Sequence, residues 1–333
     1  MPVRPFRWGI LSAANIARRR FVPGVLGGTE GELGAVAARD GDRARAFAAE
    51  FGIPRAYDSY EALLADPDID GVYIGLPNLL HTEWTIRAAG AGKHVLCEKP
   101  LSRRAADVDR MAAACETAGV VLMEAFMYRH HPQHAKVREL VAAGAIGDVT
   151  FLRATFSFAM ADERRASDVR TNQALDGGAF MDVGCYALNA ARFLFDAEPV
   201  EVTALGRFDA ALGVDTSMSA LARFPGDRLA QIDGSFDVAG QQRYEIVGFG
   251  GSILVDPAFQ PGPAATTCTL VRGGEREVVT VSGLDQYAAE ADHFARSAWA
   301  GRLLPPAEDG RAQARALEAL YRSAETGQAV RLA

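Results

Sequence analysis

Hydrophobic and polar positions follow one pattern in the first third of the chain. Short apolar runs alternate there with segments of helical spacing. The expected strands are 7–11, 32–38, 70–76, 92–97 and 120–124. The expected helices are 14–26, 43–51, 60–65, 81–89 and 104–118. Strands that alternate with helices indicate βαβ units, so this part is predicted to be α/β, with a doubly wound parallel sheet.

The pattern changes near residue 125, where strands begin to follow one another directly. The expected strands are 149–158, 200–208, 216–224, 228–236, 244–248, 252–255, 267–272 and 277–281. The expected helices are 131–143, 179–195, 286–300 and 309–326. Serial strands joined by turns predict an α+β domain with a large, mostly antiparallel sheet. We therefore expect two domains, 1–124 and 125–333.

Composition restricts the function classes. The 333 residues are 49% hydrophobic and 23% charged, with a net charge of -7, which argues against nucleic-acid binding. No apolar run approaches the roughly 18 residues that a membrane helix needs. The first twenty residues lack a signal-peptide core, so a cytoplasmic location is expected. The four cysteines are widely separated and are expected to be buried thiols, not zinc ligands or disulfides.

The turn after the first expected strand carries the sequence SAANIA at residues 12–17. Dinucleotide-binding Rossmann folds place the pattern G-x-G-x-x-G/A at this point, because glycine lets the backbone approach the pyrophosphate. Here Ser12 and Ala14 replace the first two glycines, and Ala17 fills the third position. The motif alone leaves two interpretations open, a dinucleotide site and a plain strand-to-helix turn.

The second expected strand ends in Ala38 and Arg39. An NAD site usually has an acidic residue there, which binds the ribose 2′-hydroxyl. An arginine can instead pair with a 2′-phosphate. Arg39 therefore favours NADP, with NAD as the other option, unless it is simply a solvated surface arginine.

The fourth expected strand runs into Glu98-Lys99-Pro100. In a doubly wound sheet, ligands bind beyond the carboxyl ends of the strands, where Lys99 would stand. The chain has only three lysines, at 93, 99 and 136, and arginine supplies the remaining basic residues. Lysine differs from arginine in that its pKa can shift into a useful range. Pro100 raises the option of a cis bond after Lys99.

Two further groups of polar residues stand out after residue 125. Asp182 and Tyr186 are four residues apart in an otherwise apolar helix, which places them on one face. A structural hydrogen-bond network is the alternative interpretation.

His130 and His134 have helical spacing too, but no convincing third ligand accompanies them. We expect no metal there, and helix capping or substrate hydrogen bonds instead.

Together these segments resemble the Gfo/Idh/MocA family of oxidoreductases. The matching segments, from residue 8 to residue 189, are WGILSAANIA (8–17), AARD (37–40), GVYIGLPNLLHTEWTIRAAGAGKHVLCEKPLS (71–102), MEAFMYRHHPQ (123–133) and GGAFMDVGCYALN (177–189). The branch is similar to NADP-dependent D-xylose (aldose) 1-dehydrogenases and dihydrodiol dehydrogenases, with keto-sugar reductases nearby. The substitution of Ser12 and Ala14 for glycine departs from the common pattern and puts the phosphate geometry in doubt.

The resemblance implies an enzyme that transfers hydride between a sugar and NADP. It implies the catalytic residues Lys99, Tyr186 and Asp182. Cofactor binding is predicted for Ser12, Ala14, Asn15, Ile16, Arg39, Leu76, Pro77, Asn78, His81, Glu98 and Lys99. Substrate binding is predicted for Lys99, Tyr128, Arg170, Asp182 and Tyr186. For Arg170, which precedes the helix of the second domain, an ordinary loop contact is the alternative interpretation.

The hypothesis drawn from these residues makes Tyr186 the general acid/base, assisted by the charge of Lys99. The expected substrate is an aldose oxidised at C1. The alternatives are a keto-sugar or nucleotide-sugar ketoreductase working in the reverse direction, and a non-catalytic nucleotide-binding regulator. No nucleic acid or membrane partner is expected. Family habit favours a homodimer or homotetramer.

Overall fold

The computed structural model describes residues 4–332, which divide into two compact units. The first unit contains 4–102, 106–130 and 285–311, and the second contains 103–105, 131–284 and 312–332. The hydrophobic pattern predicted one boundary, after residue 124, whereas 285–311 returns to the first unit in the structure. No helix within the described residues is both long enough and apolar enough to cross a membrane.

Fifteen strands occur in the described part of the chain. They are β1 Phe6–Leu11, β2 Gly31–Ala37, β3 Arg55–Tyr57, β4 Gly71–Ile74, β5 His94–Glu98, β6 Leu122–Ala125, β7 Val149–Ser157, β8 Glu201–Asp209, β9 Val214–Phe224, β10 Arg228–Ser235, β11 Gln241–Gly248, β12 Gly251–Val255, β13 Thr266–Arg272, β14 Glu275–Val281 and β15 Val330–Arg331.

Ten α-helices occur in the same residues. They are α1 Val22–Gly27, α2 Gly41–Phe51, α3 Tyr60–Leu64, α4 His81–Gly90, α5 Ala105–Ala118, α6 Pro132–Ala142, α7 Asp162–Arg165, α8 Cys185–Phe195, α9 Gln286–Trp299 and α10 Arg311–Thr326. The short elements β3, β15 and α7 were not predicted, because two to four residues are too few to show a period.

The first unit is built on a six-stranded parallel sheet with the order β3-β2-β1-β4-β5-β6. This is the strand order of the dinucleotide-binding Rossmann fold. The order reverses between β1 and β4, so the switch point lies at their carboxyl ends. The prediction of a doubly wound parallel sheet is confirmed.

Helix α9 belongs to the first unit because its apolar face completes that unit's core. Phe294 packs against Phe6 and Trp8 at ring-centroid distances of 5.8 and 5.1 Å. Ala291 and Ala295 are buried in the same core. The sequence marks α9 as amphipathic, but it does not indicate which sheet the apolar face covers.

The second unit contains a nine-stranded sheet with the order β14-β13-β12-β11-β7-β10-β9-β8-β15. Only β7 and β10 pair in parallel, so the prediction of a mostly antiparallel sheet is also confirmed. Alternate residues of β9 are buried, as expected for a sheet with one covered face. Helix α8, whose eleven residues are all buried, packs on β7 and β10.

Candidate functional site

The turn after β1 holds Ser12 in a backbone conformation that favours glycine, although the turn contains none. Ser12 has a φ of 101°, in the region that favours glycine, and its N–H donates to the carbonyl of Ala37 at 3.0 Å. The helix that follows begins at Asn15, which is exposed. The predicted residues Ser12, Ala14, Asn15 and Ile16 therefore surround a helix N-terminus, where backbone N–H groups suit a phosphate.

That first helix contains a π-turn over Ala17–Phe21 before α1 begins. The N–H of Val22 donates to the carbonyl of Ala17, one residue further back than in an α-helix. Pro23 accounts for the wider turn, since it has no N–H and its ring crowds the carbonyl four residues earlier. The helix continues to Gly27 despite this proline.

Two arginines lie near Tyr60 at the carboxyl end of β2. The positive charges of Arg39 and Arg43 act on the Tyr60 hydroxyl. Burial raises the pKa of Tyr60, and the two arginines oppose that shift. Asp40 caps α2 by accepting from the N–H groups of Asp42 and Arg43. Sequence analysis singled out Arg39 and missed Arg43, although their spacing places both at the start of α2.

The loop after β4 contains Leu76, Pro77 and Asn78, with Asn78 opening a short 3₁₀ turn. His81 follows at the start of α4 and is fully buried. Its Nε2 lies 2.8 Å from the carbonyl oxygen of Leu76, and its Nδ1 lies 3.0 Å from that of Pro100. Both ring nitrogens thus face backbone carbonyls, and the cofactor contact of His81 stays a prediction. His81 connects the loops that follow β4 and β5.

Lys99 stands immediately after β5, and the Lys99–Pro100 bond is cis. The preceding Glu98 accepts a hydrogen bond from the Tyr73 hydroxyl at 2.6 Å. The other two lysines have structural partners. Lys93 is buried and donates to the carbonyls of Asp66 and Ile69, and Lys136 pairs with Glu139 on the surface. Lys99 is the lysine that stands at the carboxyl edge of the sheet.

In the second unit, Gly177 and Gly178 allow a loop to approach the start of the helix that carries Asp182. A Cβ at Gly177 would lie 2.5 Å from the carbonyl oxygen of Arg170. The N–H of Gly178 donates to that same oxygen at 2.7 Å, and the φ of Gly178 is 138°. Only glycine accommodates this contact without displacement. The Arg170 backbone is therefore docked directly on the glycine pair.

The docked loop brings Arg170 to Asp182. Arg170 Nε lies 2.9 Å from Asp182 Oδ2, and Nη1 lies 3.2 Å from Asp168 Oδ1. The carboxylate of Asp182, followed by that of Asp168, raises the pKa of Arg170 against the opposing effect of burial. Sequence analysis named Arg170 and Asp182 separately. The structure pairs them, and it adds Asp168.

Asp182 lies in a π-turn over Phe180–Gly184, and Tyr186 lies in the first turn of α8. Tyr186 is 4% exposed, and its ring packs against Phe156 and Phe259 at 5.3 and 5.4 Å. One helical segment therefore carries a carboxylate that pairs with Arg170 and a phenol that packs against two phenylalanines. π-turns of this kind are frequent at functional sites.

Tyr128 is fully buried, and His131 and His134 after it make hydrogen bonds within the protein. The contact of Tyr128 with substrate stays a prediction. His131 caps α6 by accepting from the N–H of Gln133, and His134 Nδ1 lies 2.9 Å from the Tyr244 hydroxyl. Residues 4–332 hold no group of three or more side chains suited to a metal.

Asp215 is a residue near this helix that sequence analysis missed. It is 1% exposed, and it accepts from the N–H of Phe180 and from the hydroxyl of Tyr321, both at 2.7 Å. No local sequence signal connects three residues so far apart in the chain. Burial raises the pKa of Asp215.

Comparison with known families gives two matches along the chain. Residues 6–126 match the oxidoreductase family with an NAD-binding Rossmann fold, and residues 134–254 match the GFO/IDH/MocA C-terminal domain. The chain is 43% identical over 327 residues to the D-xylose 1-dehydrogenase (NADP(+)) 2 of Haloferax volcanii, covering 98% of this chain and 99% of that protein.

Two solved structures are similar over nearly the whole chain. The aldose-aldose oxidoreductase of Caulobacter crescentus, complexed with glycerol, is 31% identical with a TM-score of 0.91, covering 99% of this chain and all of that one. A 3-ketoreductase of Actinomadura kijaniata, in complex with NADP and TDP-benzene, is 32% identical with a TM-score of 0.89, covering 96% of this chain and 98% of that one.

Proposed function

The chain belongs to the Gfo/Idh/MocA oxidoreductase family, and from that premise we propose that it is an NADP-dependent dehydrogenase acting on the C1 hydroxyl of an aldose. The observation that carries the proposal is the full-length similarity to an NADP-dependent D-xylose 1-dehydrogenase. The presence of Lys99, Asp182 and Tyr186 at the matching positions supports catalysis by this chain.

The carboxyl edge of the first sheet fits a dinucleotide. The glycine-like backbone of Ser12 lets a pyrophosphate approach the helix that begins at Asn15. Arg39 and Arg43 offer positive charge beside Tyr60, where a 2′-phosphate distinguishes NADP from NAD. Leu76, Pro77 and Asn78 follow β4, Glu98 is the last residue of β5, and all four would complete the cofactor site. NADP, when bound, supplies the hydride acceptor for the oxidation of the sugar.

Tyr186 is the group proposed to accept the hydroxyl proton of the sugar. An unperturbed phenol has a pKa of about 10, which makes it a weak base near neutral pH. In the proposal, the positive charge of Lys99 favours the phenolate and so assists Tyr186. Lys99 is also suited to donate a hydrogen bond to the substrate hydroxyl. Asp182 orients the substrate as a hydrogen-bond acceptor.

The charges around Asp182 favour an uncharged sugar as the substrate. Arg170 is shared between the carboxylates of Asp182 and Asp168. Two other arginines of the same loop are also paired, Arg164 with Asp168 and Arg165 with Asp237. A pyrophosphate-linked sugar would have to compete with carboxylates for each guanidinium. A free sugar needs only hydroxyl hydrogen bonds, which the same side chains provide.

A ketoreductase acting in the reverse direction is the second candidate. The similarity to a 3-ketoreductase in complex with NADP and TDP-benzene favours it. The same residues serve both directions, because the group that takes a proton in oxidation returns it in reduction.

We also propose that copies of this chain associate through the outward face of the second sheet. Leu205 and Leu221 are 75% and 56% exposed on neighbouring strands of that face. A groove of about 420 Å³ lies on the same sheet, lined by residues that include Arg153, Asp233 and Arg243. Light scattering coupled to gel filtration tests this proposal, and a strictly monomeric protein at micromolar concentration would contradict it.

The experiment that tests the function is a paired spectrophotometric screen. NADP and NAD are each offered with free aldoses, inositols and dihydrodiols, and nicotinamide reduction is followed. Oxidation of an aldose with a preference for NADP is the expected result. Activity with NAD alone would contradict the role of the two arginines but not the dehydrogenase assignment. Failure to oxidise any of these compounds, with NADPH-dependent reduction of a keto-sugar, would favour the ketoreductase.

A further inference from the structure

The buried carboxylate of Asp215 occupies an unusual position at the start of β9. It receives the Phe180 N–H on Oδ2 and the Tyr321 hydroxyl on Oδ1, both at 2.7 Å. Asp215 therefore joins the Phe180 N–H at the beginning of the helix to the hydroxyl of Tyr321. The first N–H groups of a helix lack intrahelical partners, so this carboxylate satisfies a donor that would otherwise be buried and unbonded.

The same carboxylate limits the conformation of the glycine turn. A Cβ at Gly178 would lie 2.2 Å from Asp215 Oδ1, so the turn fits directly against the carboxylate. The N–H of Gly178 donates to the Arg170 carbonyl, and its own carbonyl accepts from the N–H of Asp182 at 3.0 Å. Gly178 thus connects Asp215 to both partners of the Arg170–Asp182 ion pair, because it contacts the carboxylate and bonds to the backbone of each partner.

Tyr321 is itself held from the surface side. The guanidinium of Arg103 lies 3.9 Å from the centroid of the Tyr321 ring and pairs with Glu325. Tyr321 and Glu325 both belong to α10, so this arrangement anchors the C-terminal helix to the beginning of the helix with Asp182 and Tyr186. Arg103 also supplies the positive charge that acts on Asp215.

We propose that Asp215 and Tyr321 are positioning residues: Tyr321 orients the Asp215 carboxylate, which sets the register and orientation of Asp182 and Tyr186 through the backbone of Phe180. The inference rests on the proposed function, because it assigns the pair a role in the same reaction. Neither residue is proposed to touch the substrate. A displacement of about 1 Å in a reacting group can lower the rate about 100-fold, so a small loosening of this helix start has a measurable effect.

The first test is Tyr321→Phe, with Tyr244→Phe as its matched control. Both substitutions remove one buried hydroxyl from the second unit, and the Tyr244 hydroxyl contacts His134 whereas that of Tyr321 contacts Asp215. We expect Tyr321→Phe to lower kcat for the sugar about 10-fold or more, while the Kd for NADPH stays unchanged. Tyr244→Phe should lower the melting temperature to a similar extent without this loss of kcat. Equal kcat in the two variants would overturn the positioning role.

The second test compares Asp215→Asn with Asp215→Leu. Asparagine keeps an acceptor for the Phe180 N–H and an amide that can donate to the Tyr321 oxygen, whereas leucine keeps only the approximate shape. The Asp215→Asn variant should therefore retain most of the wild-type turnover, and the Asp215→Leu variant should lose it. If the Leu variant does not fold, the Tyr321→Phe result decides alone. Turnover lost equally in both folded variants would assign the effect to the charge and contradict the hydrogen-bond mechanism.

Amide hydrogen exchange supplies a readout that does not depend on activity. Tyr321→Phe should accelerate exchange in 179–186 relative to wild type, and Tyr244→Phe should not. If Tyr321→Phe accelerates exchange but the wild type oxidises no sugar, the pair still positions the helix and the proposed reaction is rejected. Unchanged exchange together with unchanged kcat would reject the positioning role while the dehydrogenase assignment stands.

Discussion

At the scale of single residues, Tyr186 combines an ionisable hydroxyl with nearly complete burial. Its ring lies against two phenylalanines, and Asp182 precedes it by one turn. In the proposed reaction, a phenol with an ordinary pKa of about 10 needs a nearby positive charge to act as a base near neutral pH. This requirement is the physical reason for assigning assistance to Lys99.

The substitution Tyr186→Phe tests this role directly. It removes the proton acceptor and leaves the ring packing intact, so turnover should fall by about 10²–10⁴-fold. The Kd for NADPH should stay within about twofold, because Tyr186 lies outside the dinucleotide-binding unit. Steady-state kinetics and fluorescence titration measure the two quantities. Turnover equal to that of the wild type would remove Tyr186 from the chemistry.

Cofactor preference is also decided by few residues. Arg39→Asp replaces a charge that attracts a 2′-phosphate with one that repels it and that can bind a ribose hydroxyl. We expect the ratio of kcat/KM with NADP to that with NAD to fall by about 10-fold or more, the value of about 1.4 kcal/mol. Arg45→Asp is the control, because Arg45 is an exposed residue of α2 that pairs with Asp42. An equal shift in both variants would indicate a general charge effect.

At the scale of secondary-structure elements, glycine allows the helix with Asp182 to lie directly on the second sheet. A Cβ at Gly234 in β10 would lie 2.5 Å from Gly184 Cα, and one at Gly184 would lie 2.2 Å from the Phe180 ring. Backbone-to-backbone packing of this kind places the π-turn close to the strand. The two glycines therefore determine the depth at which Asp182 is held.

Gly234→Ala should destabilise the protein by about 1–3 kcal/mol, because the added methyl group meets backbone that cannot move independently. Gly240→Ala provides the control, since a Cβ there has only one neighbour, at 3.9 Å. Chemical denaturation gives both free energies of unfolding. A Gly234 variant as stable as the Gly240 variant would show that the helix can shift away from the strand at little cost.

At the scale of the whole molecule, burial shifts the titration of several groups in one direction. Burial lowers the pKa of His81, His94, His130, His131 and His293. Below about pH 6.5 these histidines bind protons in the unfolded chain but stay neutral in the folded protein, so unfolding becomes more favourable. The free energy of unfolding is therefore unaffected by these histidines above about pH 6.5, and they reduce it as the pH falls below that value.

The expected result is a melting temperature that falls between pH 7 and pH 5. Each histidine with a lowered pKa reduces the free energy of unfolding by up to about 1.4 kcal/mol for each pH unit. His293→Gln should reduce this slope, because glutamine can still donate to the Leu304 carbonyl but cannot take up a proton. Buried Glu290 acts in the opposite sense, since burial raises its pKa and favours folding at low pH. A slope that is the same in the variant and the wild type would contradict the assignment to His293.

The local parts of this protein could be predicted from its sequence. Strand and helix positions followed from hydrophobic periodicity, because period 2 and period 3.6 are local consequences of backbone geometry. The approximate limits of β7 to β14 were predicted in this way. The positions of Lys99, Arg39 and the Asp182–Tyr186 pair in the fold were predicted for the same reason, and their roles stay predictions. Each stands at a strand end or on one helix face, and that position can be inferred from neighbouring residues.

Tertiary structure alone decided the contacts between distant segments. Helix α9 returns to the first unit, Arg170 pairs with Asp182, and Asp215 and Tyr321 meet at Phe180. His81 contacts carbonyls of two loops, although its sequence position suggested the cofactor. An amphipathic face or a polar side chain requires a partner, but its own segment does not specify which one. That choice depends on the packing of the whole chain, where buried polar groups must find hydrogen bonds and apolar faces must be covered.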